Sequence, residues 1–241
     1  HVVRQLSAET FEQVRTRYCE YIVSTEDKVE DAITGNELQI RDQLILMALH
    51  EISDGVDPGD FAKVRDVPML VNHLTEQSPK RLQGCHKAQP VLCRAGPGTG
   101  KTWMVKQSLF LTAERLSDGN QTGVRLCPIV VFVQRIVRLL RELGAEPASL
   151  LSDPNGMLRW YISNQYAEQP EERQMLLHAY DMRALVILVD GVDEAAGLRE
   201  IVEAFVHYEL VPSCNRLVVT SRPEGVDLED YKNRFVVMNL L

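Results

Sequence analysis

Ala95-Gly96-Pro97-Gly98-Thr99-Gly100-Lys101-Thr102 is the stretch on which the reading of this 241-residue chain turns. Before it runs Pro90-Val91-Leu92-Cys93-Arg94, short and apolar like a strand. After it, Trp103 to Leu111 repeats apolar residues at helical spacing. A glycine-rich turn between a strand and a helix is the setting of a phosphate-binding loop. Its glycines let the backbone curl so that several N–H groups face one anion, and the helix N-terminus adds its positive dipole end. In such a loop Lys101 reaches the β/γ-phosphates and the Thr102 hydroxyl binds Mg²⁺. Gly96, Pro97, Gly98, Thr99, Gly100, Lys101 and Thr102 are therefore nucleotide-binding candidates, with Trp103 beside them. Trp103 reads first as a core or edge residue and second as a base-stacking one. Ala95 stands where the strict pattern has glycine, which is tolerable if that position takes an ordinary φ.

Outward from the loop the chain falls into two regions. Residues 1 to about 85 read as helical. Phe11, Val14, Tyr18 and Ile22 share one helical face; Leu38, Leu44, Ile45, Leu49 and Ile52 suggest a second helix. Asp57-Pro58 reads as a third helix start, and Met69, Leu70, Val71 and Leu74 as a fourth helix. From residue 86 to 241 strands alternate with helices. The strand candidates are 90–94, Pro128–Val133, Leu185–Val189, Leu217–Thr220 and Phe235–Met238. Their apolar runs are nearly unbroken, as in strands covered on both faces. Helices are expected after each of the first four, with starts at Asp153-Pro154 and Gln169-Pro170, and a loop over Ser117–Asn120. The expected fold is α/β, a three-layer parallel sheet with an N-terminal helical extension.

A formal net charge of −8 argues against broad nonspecific binding to nucleic acid or anionic membranes. No apolar run approaches the ~18 residues that span a bilayer. Cys19, Cys85, Cys93, Cys127 and Cys214 are scattered, odd in number and without CxxC spacing, which suggests reduced thiols in an intracellular, cytoplasmic setting. Cys93 and Cys127 lie in strand-like runs and should be buried.

Two further motifs follow the loop. Val189-Asp190-Gly191-Val192-Asp193-Glu194 ends a strand on a carboxylate, at the sheet edge where ligands of parallel sheets bind. Asp190 is placed to hold Mg²⁺. Glu194 is the favoured group to orient or deprotonate an attacking water, with Asp193 as a second metal-shell ligand or alternative base. The competing reading is that both acids merely open the next helix. Leu217-Val218-Val219-Thr220-Ser221-Arg222-Pro223 ends another strand on an arginine, and Arg222 is a candidate contact to the γ-phosphate.

Over roughly residues 88–241 these motifs, in order and spacing, resemble the NACHT family of signal-transduction ATPases, of the STAND class. The D-G-x-D-E spacing of Asp190, Gly191, Asp193 and Glu194 and the segment Thr220-Ser221-Arg222-Pro223 carry the likeness. The resemblance implies a P-loop NTPase core in which Lys101 and Thr102 bind ATP or ADP and metal, Asp190 is the metal acid and Arg222 the first sensor. Phe132-Val133-Gln134-Arg135 is similar to the family's second strand, which makes Arg135 a phosphate-side candidate beside a structural role. The implied activity is a slow, Mg²⁺-dependent ATPase switch that controls conformation and oligomerisation, with protein partners engaged partly through regions outside this chain. The family's helical lid and winged-helix domain have no counterpart before Leu241, so the resemblance implies a fragment of a longer protein. The alternative is a structural or protein-interaction module whose nucleotide site is static or inactive, its first 85 residues being the partner-binding part. A GTPase is disfavoured because Asn-Lys-x-Asp is absent, and a small-molecule kinase because no acceptor pocket is visible in the sequence.

Overall fold

A computed structural model describes residues 6–30, 37–40, 48–51, 63–76, 89–117, 125–153 and 156–241. Helix α1 (Ala8–Glu26) opens on Ser7, whose side chain accepts the Thr10 N–H, and buries the predicted Phe11, Val14, Tyr18 and Ile22 face. Strands β1 (Lys28–Glu30) and β2 (Glu37–Gln39) form a small antiparallel pair. Strand β3 (Leu49–Glu51) follows, then α2 (Val67–Thr75), capped by Asp66 with Pro68 in its first turn. The helix expected across Leu38–Ile52 is not formed by the described part of that stretch, which is strand at both Glu37–Gln39 and Leu49–Glu51. The expected helix at Asp57-Pro58 lies outside the described residues, as does the loop after Ser117.

The remaining elements are β4 (Val91–Arg94), α3 (Lys101–Ser117), β5 (Cys127–Phe132), α4 (Val133–Leu143), α5 (Pro147–Ser152), α6 (Gly156–Gln165) and α7 (Pro170–Asp181). Then come β6 (Leu185–Asp190), a 3₁₀ segment Val192–Leu198, α8 (Arg199–Ala204) running into a π-turn Phe205–Leu210, β7 (Arg216–Ser221), α9 (Leu228–Lys232) and β8 (Val236–Leu240). Every strand expected after residue 86 is present.

The main sheet has the order β3-β8-β4-β7-β6-β5, with β3 antiparallel and the other five strands parallel. This is the expected three-layer α/β fold. The connection from β4 to β5 crosses the sheet in the direction opposite to those from β6 to β7 and from β7 to β8. Right-handed crossovers therefore put α3 on one face and α8 and α9 on the other. All six residues of β6 are buried, as its unbroken Leu-Val-Ile-Leu-Val run requires.

Both sheet edges are managed. At one, β3 pairs with β8 through Leu49↔Leu240, His50↔Asn239 and Glu51↔Met238. The open ladder of β8 supplies the hydrogen bonds that make Leu49–Glu51 a strand, against its helix-like spacing. At the other edge, Pro128, with no N–H to lose, faces out from β5. The outward carbonyls of Pro128 and Val130 accept the hydroxyls of Tyr18 (3.1 Å) and Tyr161 (3.4 Å).

α1 and α2 pack against α3, and their buried side chains belong to the same core as the sheet. Arg15, only 2 % exposed, ties α1 down: its guanidinium pairs with Glu12 and donates to the Leu116 carbonyl (3.2 Å) and the Leu126 carbonyl (3.4 Å). Arg15→Ala leaves those buried carbonyls unpaired, so urea unfolding should show a loss of about 2–4 kcal/mol; a change under about 0.5 kcal/mol contradicts this account. Cys93 and Cys127 are buried as expected, and burial pushes the Cys19 and Cys93 thiols up to about 12.

Candidate functional site

The C-terminal tips of β4, β7 and β6 lie side by side, because β7 is inserted between the other two. β4 runs through Ala95, whose N–H donates to the Ser221 carbonyl at the end of β7 (3.0 Å). Ala95 is outside the group of residues with positive φ, so the departure from glycine there costs no strain. The loop then turns through Gly98 (φ 75°) and Gly100 (φ 89°), conformations that other residues adopt only with strain. Thr99 stiffens it, donating from both N–H (3.3 Å) and hydroxyl (2.8 Å) to the Gly96 carbonyl. The first-turn N–H groups of α3 have no acceptor within their own helix and crown the loop.

Asp190, 4 % exposed, is a carboxylate at the end of the fully buried β6. Thr220 on β7 holds it: the hydroxyl donates to Asp190 Oδ1 (2.7 Å) and accepts the Gly191 N–H (3.0 Å). The other carboxylate oxygen, Oδ2, accepts the Thr102 hydroxyl at 3.0 Å. Adjacent oxygens around an octahedral Mg²⁺ with bonds of 2.0–2.1 Å stand about 2.9 Å apart. Thr102 Oγ1 and Asp190 Oδ2 are hard oxygen donors at that separation, so these residues fit the ion.

Lys101 Nζ lies between two acids, 2.7 Å from Asp193 Oδ1 and 3.1 Å from Glu194 Oε1. Burial alone would lower the lysine's pKa; the hydrogen bonds to Asp193 and Glu194 outweigh it and leave the ammonium raised above its ordinary value. Asp193 also receives Arg222 twice, at Oδ1 from the backbone N–H (3.1 Å) and at Oδ2 from the side-chain Nε (3.1 Å). The residues singled out on three separate stretches of sequence thus form one connected cluster.

A cleft of about 430 Å³ opens beside this cluster. Thr102, Asp190 and Glu194 line it, together with Phe132, Gln134, Arg135, Arg138, Tyr161 and Gln165 from β5, α4 and α6. Arg135 lines this cleft, with its Nε donating to Gln165 Oε1 (2.9 Å). Arg138, Tyr161 and Gln165 were not indicated by any motif. The spacing of Gln134, Arg135 and Arg138 after a strand is the one sequence signal that groups three of these wall residues. Trp103 is half-buried and packed against the core, the first of the two roles open to it. Arg222 remains about half exposed despite its contacts, with 47 % of the side chain accessible.

No helix among the described residues is long and apolar enough to cross a membrane. No protein-family model matches the chain, and no curated protein matches it.

Proposed function

We propose that this chain is an ATP/ADP-binding switch of the NACHT type, a slow Mg²⁺-dependent ATPase in which the terminal phosphate controls conformation and self-association. The observation that carries the reading is the meeting, at the C-terminal tips of β4, β7 and β6, of Lys101, Asp193, Glu194 and Arg222 through 2.7–3.1 Å contacts, next to Asp190 on Thr102, beside a glycine loop and an open cleft.

Each residue has a task on this reading. The loop N–H groups and Lys101 bind the β- and γ-phosphates, which requires Lys101 to leave its acid partners. Thr102 and Asp190 would hold Mg²⁺, which would supply neutralisation of phosphate charge. Thr220 keeps Asp190 pointed at Thr102 through its own hydroxyl. Glu194, with 27 % of its side chain accessible, faces the cleft and is freed as a base once Lys101 turns to phosphate. Arg222, at the tip of the inserted strand, reads the γ-phosphate. Loss of that phosphate returns Arg222 to Asp193 and redocks the turn behind it, a rearrangement of the kind nucleotide switches use.

Calorimetric titration of the purified chain with ATP and ADP, with Mg²⁺ and then with EDTA, tests the reading. Arg222→Ala should weaken ATP by about tenfold and ADP by less than about twofold. Equal loss for both ligands would remove the sensor role, and no binding of either by the native chain would leave the static-module alternative standing.

A further inference from the structure

Asp193 makes contacts that neither a metal ligand nor a general base requires. Its carboxylate takes three donors at once: Lys101 Nζ at 2.7 Å, the Arg222 N–H at 3.1 Å and Arg222 Nε at 3.1 Å. The side chain is 8 % exposed, so it is committed inward. The turn Pro223–Gly225 is packed directly onto it. A Cβ at Gly225 would stand 2.3 Å from Asp193 Cβ and 2.7 Å from Ser221 Oγ, so only glycine allows this approach. Lysine and arginine donate to carboxylate and phosphate oxygens alike.

We propose that Asp193 is a specificity-determining residue: its carboxylate stands in for the terminal phosphate between Lys101 and Arg222, and so handicaps ATP relative to ADP. The inference rests on the nucleotide reading given above. A diphosphate recruits Lys101 through its β-phosphate and leaves the Asp193–Arg222 contacts standing. A triphosphate recruits both cations, and Asp193 must give up both. Breaking Asp193 from Arg222 therefore weighs on ATP alone. The neighbouring acids are arranged differently. Glu194 contacts Lys101, while the two oxygens of Asp190 are taken by Thr102 and Thr220. With Asp193 in place, the diphosphate state keeps the sensor arm and the Gly225 turn docked, and only the triphosphate loosens them.

The test compares Mg²⁺-ADP with the non-hydrolysable β,γ-imido analogue of ATP, titrated into the native chain, Asp193→Asn, Asp193→Ser and Glu224→Gln. Both Asp193 variants should bind both nucleotides more tightly, because Lys101 is released, and the triphosphate should gain about tenfold more than the diphosphate. Glu224, exposed on the same turn, controls for simple loss of negative charge, and Glu224→Gln should leave the ratio within about twofold of native. Circular dichroism confirms that each variant is folded, and the serine variant serves if the asparagine one is not. An unchanged triphosphate-to-diphosphate ratio in a folded Asp193 variant overturns the proposal, also where hydrolysis of ATP is lost, since that pattern makes Asp193 a base or metal-shell ligand. If the native chain binds neither nucleotide, the functional reading falls and the role of Asp193 falls with it.

Discussion

Lys101→Ala will lower the affinity for ATP and ADP by at least about 100-fold, the loss of charge-assisted bonds to two phosphates. The expectation follows from position. Lys101 directly follows the last loop glycine, Gly100, as the first residue of α3, and its ammonium already sits among the groups that converge on the site. The fold should survive. Asp193 retains Arg222, Glu194 is partly open to water, and the Thr102–Asp190–Thr220 chain does not involve the lysine. Chemical denaturation should register a change of no more than about 2 kcal/mol. Native-like affinity in the alanine variant would show that the loop does not grip phosphate, and the functional reading would have to be abandoned.

Glu194→Gln will keep ATP bound and slow its hydrolysis by about 100-fold or more, the usual scale for removing a general base. The side chain folds back over Gly191, where an added Cβ would meet Glu194 Oε2 at 2.7 Å, and its carboxylate opens on the cleft. Glutamine preserves that shape but cannot take a proton. Single-turnover phosphate release separates the two effects, because binding is measured before chemistry. Hydrolysis at the native rate would move the base assignment away from Glu194, with Asp193 the next group to replace.

The parts of the fold that carry their own periodicity could be read directly from the chain. The Leu185–Asp190 run is buried over its whole length, as an unbroken β-branched and leucine run in a covered parallel strand is. The α1 face formed by Phe11, Val14, Tyr18 and Ile22 is buried at the spacing that predicted it. The loop glycines, the strand-terminal Asp190 and Arg222 were legible for the same reason, since each marks a local backbone event. What stayed hidden was set at a distance. Leu49–Glu51 is strand because β8 offers it an unpaired ladder, and nothing inside those three residues says so. α5 (Pro147–Ser152) is six residues long, with Leu150 and Leu151 partly buried against the core, too short to show a helical period. Lys101 and Asp193 are 92 positions apart, and their contact depends on the insertion of β7 between β4 and β6. Arg138 belongs to the cleft only because α4 starts immediately at the tip of β5.

The pairing of β8 has a mechanical side. On one flank it is laced to β4 over Val91↔Val236 to Arg94↔Asn239, and on the other to β3. A pull along its axis loads both sets of rungs in shear, where they resist together, instead of peeling them singly. Tension at the Leu240 end is thus delivered to the strand that becomes the glycine loop, with little slack between them.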